Sequence, residues 1–412
     1  VNTHRGVAQE VRLSADLPYM NRHCYVFGGS GRGKSTALRA LIAAHLEAGD
    51  GFGLIDPHGK LAREARAMVE AAGHGARLRY LHPVRSPIPF NVLTHDGTDA
   101  ARAQIKADLL DFFAQVSGTA PGVNIAMVLD AALDVLLNRA DSTLDDLYAI
   151  VSDGPAREEM LERLGTADDR RRWANEILPV LKKGGAQIVT NKLAILRTPL
   201  LRPICSSRAN AIDFRAILDG RLILLVDFGG IDSKTAAALG RLLTGKLAVS
   251  AMTRTHPVPP WYGYIDEFQT MTTPSMVAIL QGARKAGLHL TLANQRYFDL
   301  PADIAGALSN CYTTLCLGTD DDRDLGLFAK RFEGSFTRHD LRALGRGSGL
   351  MLVGARAFNI EVPNVPAPPL PPDDEPPGRM EVAAPEEPTE TASEPLASPP
   401  RADAAEDDDF FV

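Results

Sequence analysis

The order of apolar and polar residues in the first third of the chain predicts alternating strands and helices. The apolar run Cys24–Phe27 is typical of a buried strand, and Gly49 ends a helix that starts near Ser35. One face of that helix carries Leu38, Leu41, Ile42 and Leu46. Two more strands are expected at residues 51–56 and 77–81, with a helix at residues 61–72 between them. This alternation predicts an α/β fold with a parallel sheet.

The middle of the chain has a different pattern. From residue 98 to residue 210 apolar residues recur at helical spacing, which predicts an all-helical insertion. Strand patterns resume at residues 222–226, 261–265, 288–293, 312–317 and 350–353. We therefore expect one sheet domain, formed by residues 1–97 and 211–362, that is interrupted by a helical domain at residues 98–210.

Composition separates the last part of the chain from the rest. From Glu361 onward there are 14 acidic residues, 2 basic residues and 13 prolines, whereas the first 360 residues carry a net charge of +5. Few apolar residues and a high net charge predict a disordered tail at residues 363–412. A mildly basic body is compatible with a polyanionic partner such as DNA, although charge alone is a weak indicator.

Composition also limits the class of protein. The four cysteines (Cys24, Cys205, Cys311 and Cys316) lack the spacing of a metal site and are expected to be reduced. No stretch is long and apolar enough for a membrane helix, and no signal peptide is recognisable.

The most specific motif in the chain follows the first strand. Its sequence, Gly-Gly-Ser-Gly-Arg-Gly-Lys-Ser, matches the phosphate-binding pattern G-x-x-x-x-G-K-[ST] and lies between a strand and a helix. Lys34 is expected to bind the β- and γ-phosphates, and the Ser35 hydroxyl to bind Mg²⁺. The alternative is a glycine-rich turn that matches by chance. The predicted nucleotide-binding residues are Gly28, Gly29, Ser30, Gly31, Arg32, Gly33, Lys34, Ser35 and Thr36.

A phosphate loop of this kind needs a carboxylate at the end of a nearby strand. Three apolar strands end in aspartate, at Asp56, Asp227 and Asp266, but only Asp266 is followed by a second carboxylate, Glu267. Metal binding and polarisation of water are separate tasks. We therefore expect Asp266 to contribute to the Mg²⁺ shell and Glu267 to polarise the attacking water. The alternative is that both residues only cap the next helix.

Two further residues are candidates for contact with the γ-phosphate. Gln295 follows the apolar strand at residues 288–293, and the carboxyl ends of parallel strands meet at the ligand-binding edge of a sheet. Arg284 lies near the end of the preceding helix, and phosphoryl transfer is accelerated by an arginine that is supplied in cis or in trans. The alternatives are a strand-end hydrogen bond for Gln295 and an interaction with the helix dipole for Arg284.

Together these motifs resemble the coupling-protein ATPases of conjugative type IV secretion, which belong to the FtsK/HerA branch of P-loop motors. The resemblance covers residues 20–360, and its most specific parts are Asp56-Pro57-His58-Gly59 and the spacing between Arg284 and Gln295. It implies a RecA-like P-loop NTPase fold with a helical insertion. It also implies ATP and Mg²⁺ as cofactors, a homo-hexameric ring, Arg284 as a finger that reaches the neighbouring subunit's nucleotide, and Gln295 as a sensor of hydrolysis.

The resemblance further implies a DNA-stimulated ATPase that pumps DNA in the bacterial cytoplasm, peripheral to the inner membrane through its partners. Coupling proteins typically carry N-terminal membrane helices. This chain is therefore either a soluble relative, or has its anchor upstream of Val1 or on a partner. Two other functions fit the same motifs: a ring-shaped hub that loads protein substrates, and a HerA-like DNA helicase or translocase. A small-molecule phosphotransferase is disfavoured by Glu267, since kinases must suppress hydrolysis.

The surfaces that contact partners are less specific in the sequence. Residues 170–172 and Lys182-Lys183 are the candidates for DNA contact, although a solvated charged face explains either of them equally well. The acidic end of the tail, which finishes in Phe410-Phe411-Val412, is a candidate for docking to relaxosome or secretion-channel proteins. A tail that only aids solubility is the alternative.

Overall fold

Nine strands form one sheet in the described part of the chain. A computed structural model describes residues 23–116, 122–208, 210–254, 258–282, 287–332 and 336–370. The strands are β1 (Cys24–Phe27), β2 (Gly51–Asp56), β3 (Leu78–Leu81), β4 (Ile223–Asp227), β5 (Trp261–Ile265), β6 (Leu288–Asn294), β7 (Thr313–Cys316), β8 (Ser348–Val353) and β9 (Arg356–Glu361).

The strand order is β3-β4-β2-β5-β6-β1-β7-β8-β9. The strands from β3 to β7 are parallel, and β8 and β9 continue the sheet in antiparallel pairing. The α/β fold with a parallel-dominated sheet is confirmed. Strand β9 is an addition that the sequence pattern does not indicate.

The order places β6 between the strand before the phosphate loop, β1, and the strand that ends at Ile265, β5. Residues that follow β1, β5 and β6 therefore meet at one edge of the sheet.

The sheet carries helices on both faces. The helices before β4 are α1 (Lys34–Ala48), α2 (Lys60–Ala71), α3 (Asp99–Val116), α4 (Val123–Leu136), α5 (Leu144–Ser152), α6 (Gly154–Arg163), α7 (Ala167–Arg172), α8 (Leu178–Val180), α9 (Ala186–Leu193), α10 (Arg202–Cys205) and α11 (Phe214–Asp219). The later helices are α12 (Ser233–Met252), α13 (Pro274–Gly282), α14 (Ala302–Ala307), α15 (Asp322–Arg331) and α16 (Arg338–Ala343).

Side chains alternate between two hydrophobic cores along each strand, as the two-residue period of a strand requires. On β1, Val26 packs in the core that α1 and α2 cover, whereas Tyr25 and Phe27 pack in the opposite core. That opposite core is continuous with the apolar residues of α3, α4, α12 and α13. Burial of both faces explains why the strand sequences are almost uniformly apolar.

Among the described residues between β3 and β4 the regular elements are helices, apart from an isolated bridge between His82 and Ser86. Residues 173–177 and 181–185 form π-helical turns between α7 and α9, with a kink at Lys183 and Gly184. The domain boundaries at residues 97, 210 and 362 stay predictions, and residues 371–412 of the predicted tail lie outside the described residues.

Candidate nucleotide site

The loop between β1 and α1 has a backbone conformation that its glycines allow. Gly33 has a φ of 109°, in the left-handed region that residues with a Cβ adopt only at a cost, and α1 begins at the next residue. The amide of Gly28 donates to Asn294 on β6, and that of Gly29 donates to Gly318 after β7. The first amides of α1 have no partner within the helix, so this end of α1 suits an anion.

Lys34 is buried at the base of this loop. Its Nζ donates to the carbonyl of Gly28 at 2.9 Å and to that of Gly29 at 3.4 Å. Burial lowers the pKa of Lys34, and the carboxylates of Glu267 and Asp266 oppose that shift. The charge of Lys34 therefore interacts with the charges of Asp266 and Glu267.

The other predicted loop residues lie nearer the surface. Ser30, Gly31 and Ser35 are exposed, while Gly29, Arg32 and Thr36 are half-buried. The guanidinium of Arg32 binds both carboxylate oxygens of Asp320, at 2.7 and 2.9 Å, and donates to the Leu344 carbonyl at 3.0 Å. Arg32 thus connects the loop to two segments that the sequence motif does not include.

Asp266 lies at the end of β5 and is only 5% exposed. Burial, together with the neighbouring carboxylates of Glu267 and Asp56, raises its pKa to about 6, although Lys34 and the Glu267 amide oppose the shift. A buried carboxylate with two acidic neighbours is stabilised by a cation. Asp266 therefore has the environment expected of a residue that binds Mg²⁺ through its charge.

Glu267 adopts a left-handed backbone conformation, with φ 48° and ψ 43°. For a residue with a side chain this conformation costs about 1–3 kcal/mol, and it persists only where the surroundings hold it. The short helix Phe268–Thr270 follows, but Glu267 makes no side-chain cap to it. The capping alternative therefore does not account for Glu267.

Two amide side chains hold the Glu267 carboxylate. Gln269 Nε2 donates to Oε2 at 2.8 Å, and Gln295 Nε2 donates to Oε1. The structure thus brings Gln295 together with Glu267, as the strand order requires. Gln269 was missed by the sequence reasoning, although it belongs to the same acidic motif.

The other two strand-end aspartates have structural partners. Asp56 accepts hydrogen bonds from the amides of His58, at 2.9 Å, and Ala62, at 3.0 Å, and so holds the start of α2. Asp227 accepts from the Gly229 amide and the Tyr80 hydroxyl. Each of these two carboxylates accepts hydrogen bonds on both oxygens, whereas Asp266 accepts from the Glu267 amide on Oδ1, at 3.1 Å, so Asp266 is the best of the three for a metal.

The donor set fits a nucleoside triphosphate with Mg²⁺. Lys34 and the start of α1 provide donors for phosphate, while Ser35 and Asp266 provide the hydroxyl and carboxylate that a P-loop contributes to Mg²⁺. No group of three or more His, Cys, Asp or Glu residues that could hold a metal ion occurs in the described ranges. A P-loop site does not need one, because Mg²⁺ retains waters and binds the substrate phosphates.

Other predicted residues have different outcomes. Arg284 lies outside the described residues. Arg172 binds Asp130 and Asp134, Arg171 binds Asp168, and Arg170 donates to backbone carbonyls, so these three candidates for DNA contact have protein partners. Lys182 and Lys183 are exposed. Within the described ranges no helix meets the length and hydropathy needed to span a bilayer.

No protein-family model matches this sequence, and no curated protein matches it either. Solved structures do resemble it. The bacterial conjugative coupling protein TrwBΔN70, in its unbound monoclinic form, has a TM-score of 0.62 and 14% sequence identity, over 85% of this chain and 87% of that chain.

Two other solved structures show the same similarity. The plasmid coupling protein TrwB in complex with ADP and Mg²⁺ has a TM-score of 0.57 and 14% identity, over 84% and 87% of the two chains. VirB4 of Thermoanaerobacter pseudethanolicus has a TM-score of 0.60 and 14% identity, over 84% of this chain and 90% of that chain. The chain therefore has the P-loop fold of the conjugative coupling protein TrwB, as the resemblance of its motifs implies.

Proposed function

We propose that this protein is an ATP-hydrolysing motor of the type IV secretion coupling type and that it moves DNA. The proposal depends on the arrangement at the end of β5. There Asp266, Glu267 and Gln295 lie beside the phosphate loop, and the two carboxylates interact electrostatically with Lys34. Separate carboxylates for a metal and for water suit hydrolysis. The relative TrwB binds ADP and Mg²⁺ in its solved structure, which supports the same ligands here.

Each residue has a distinct task in the proposed reaction. Lys34 and the first amides of α1 hold the phosphates and offset their charge. Ser35 and Asp266 would hold Mg²⁺, which supplies further charge neutralisation when it is bound. Glu267 accepts a hydrogen bond from water and orients it in line with the phosphate. Gln295 keeps the Glu267 carboxylate in position and, at the end of β6, lies where the γ-phosphate would be detected.

The finger and the ring are further parts of the proposal. Arg284 of one subunit would stabilise the charge that develops on the neighbour's γ-phosphate, so that hydrolysis requires a homo-hexamer or another ring. An arginine supplied in this way accelerates phosphoryl transfer by several orders of magnitude. DNA would bind mainly through its phosphates, and binding should therefore weaken strongly as salt increases.

The alternatives differ in what the ring acts on. A protein-loading hub would hydrolyse ATP without stimulation by DNA, and a HerA-like translocase would be stimulated by DNA without any secretion partner. We favour the DNA motor because of the specific motif resemblance. We place its action in the bacterial cytoplasm, next to the inner membrane, with the acidic tail as the segment that contacts relaxosome or secretion-channel proteins.

The test is ATP turnover with and without single- and double-stranded DNA, in wild type, Glu267→Gln and Arg284→Ala. Both variants should lose turnover, and DNA should stimulate the wild type. Arg284→Ala and Glu267→Gln should each be inactive alone, but an equimolar mixture should regain up to about a quarter of the wild-type rate, because a Glu267→Gln subunit supplies an intact finger to the intact site of a neighbouring Arg284→Ala subunit. No recovery of turnover in the mixture would refute action across subunits.

A further inference from the structure

The segment that follows Glu267 is held from behind by helix α12. Arg241 Nε donates to the Thr270 carbonyl at 2.9 Å, and the Thr244 hydroxyl donates to the Met271 carbonyl at 3.0 Å. Thr270 in turn donates to the Glu267 carbonyl twice, from its amide at 3.2 Å and from its hydroxyl at 3.0 Å. Arg241 is therefore one residue removed from the backbone of Glu267.

This contact matters because the Glu267 backbone is left-handed. Such a conformation relaxes unless neighbouring groups hold it. Gln269 and Gln295 hold the Glu267 side chain, whereas Arg241 and Thr244 hold the backbone of the turn that it begins. Loss of the backbone contacts should let the turn relax and move the carboxylate.

Arg241 is itself anchored on α3. Its Nη1 donates to Gln115 Oε1 near the end of that helix. Asp108, also on α3, accepts from the Ser275 amide at 2.9 Å and from its hydroxyl at 2.6 Å. Helix α3 thus supports the segment that follows Glu267 at two points. It holds Thr270 through Arg241, and it holds Ser275 directly. The chain between these two supports is buried from Met271 to Thr273.

The geometry points to Arg241 as a positioning residue for Glu267, which acts through Thr270 and is fixed by Gln115 on α3. The inference rests on the proposed ATPase function. Arginine suits this task because its planar fork presents several donors at fixed angles, so one side chain binds Thr270 and Gln115 at once. A lysine offers a single charged nitrogen and can replace only one of the two contacts well.

The test compares Arg241→Gln with Arg241→Lys and with Arg254→Gln as a matched control. Arg254 follows the same helix and also donates to backbone carbonyls, those of Leu218 and Pro259. Those carbonyls lie before β4 and β5, at the opposite end of the strands from Glu267. Arg254→Gln should lower Tm and leave kcat per folded molecule unchanged.

For Arg241→Gln we expect kcat to fall about 10- to 100-fold, the size of effect that a displaced catalytic group produces, with Kd for a non-hydrolysable ATP analogue unchanged. Arg241→Lys should recover part of that loss. In a Glu267→Gln background, Arg241→Gln should cause no further loss, because the group that it positions is already absent.

Wild-type kcat in Arg241→Gln, or a full additional loss in the Glu267→Gln background, would overturn the inference. So would an equal loss of kcat in Arg254→Gln. If instead the wild type does not hydrolyse ATP, the proposed function fails before Arg241 is tested.

Discussion

Gln295 Nε2 donates a hydrogen bond to Glu267 Oε1 although 28 positions separate the two residues in the chain. The contact exists because β6 pairs with β5 on one side and with β1 on the other. Gln295 therefore lies between the phosphate loop and the acidic pair, in contact with the residue that we assign to water.

Substitution of Gln295 tests this contact. Gln295→Ala leaves one oxygen of the Glu267 carboxylate without its amide donor, and we expect kcat to fall about 10-fold or more with little change in ATP binding. Gln295→Glu should be more damaging, since it places a like charge against Glu267. Steady-state kinetics and nucleotide titration measure both effects. Wild-type kcat in Gln295→Ala would exclude a role for the contact in hydrolysis.

Lys34 and Lys60 form a natural comparison, because each begins a helix directly after a left-handed glycine. Lys34 is buried, whereas the side chain of Lys60 is 75% exposed. Lys34→Ala should weaken ATP binding about 10- to 100-fold, because a charge-assisted hydrogen bond contributes about 1.5–3 kcal/mol. Lys60→Ala should bind ATP as the wild type does. Fluorescent nucleotide titration distinguishes the variants, and equal binding by all three would contradict the assignment of the loop.

The raised pKa of Asp266 predicts that the stability of the folded protein depends on pH. Its pKa is about 6 in the folded protein, above its usual value of 3.8, so the folded state favours the neutral form. The resulting destabilisation is absent below about pH 4, grows between pH 4 and pH 6, and is constant above pH 6. It amounts to about 3 kcal/mol at neutral pH, because each tenfold difference in proton affinity between the folded and unfolded states contributes about 1.4 kcal/mol.

Asp266→Asn removes this charge, and without Mg²⁺ it should be more stable than the wild type above pH 6. The gain in unfolding free energy should shrink as the pH falls from 6 towards 4. In separate assays with Mg²⁺, ATP turnover should be lost at every pH. Denaturant unfolding across this range provides the measurement. A variant that is less stable than the wild type at pH 7 would contradict the destabilisation that we assign to the buried Asp266 charge.

Substitution of Gly59 tests how closely the loop before α2 packs against the loop after β4. Its φ is 76°, and a Cβ there would lie 2.0 Å from Asp227 Oδ1 and 2.7 Å from the Gly229 backbone. Gly73 has the same φ, and a Cβ on it would meet nothing within 4 Å. Gly73→Ala should therefore cost about 1–2 kcal/mol from its backbone alone. Gly59→Ala should cost about 1–3 kcal/mol more from overpacking. Equal losses of unfolding free energy would show that the clash is relieved.

Local patterns were sufficient for most of the sheet. Strand β1 and the helix that ends at Gly49 lie where apolar spacing and a terminal glycine predict them, because such signals are contained within a few residues. The sequence also distinguishes Asp266, as the candidate for Mg²⁺, from Asp56 and Asp227, because only Asp266 is followed by a second carboxylate. In the structure the other two aspartates accept hydrogen bonds from neighbouring groups instead.

The remaining features depend on contacts between distant parts of the chain. The sequence indicates Arg172 as a candidate for DNA contact, but in the folded protein Asp130 and Asp134 bind its guanidinium. The support of the Glu267 turn by Arg241 has no sequence signal, since it joins a backbone carbonyl to a residue 29 positions away. Strand β9 has three half-buried, two exposed and one buried residue, so its apolar pattern is weak.

Displacement of a third strand from triplex DNA in the presence of ATP tests most directly whether this protein is a DNA motor. We expect the wild type to displace the strand with ATP but not with a non-hydrolysable analogue, and Glu267→Gln to fail with either nucleotide. Rapid ATP hydrolysis by the wild type, with no stimulation by DNA and no strand displaced, would contradict a DNA motor.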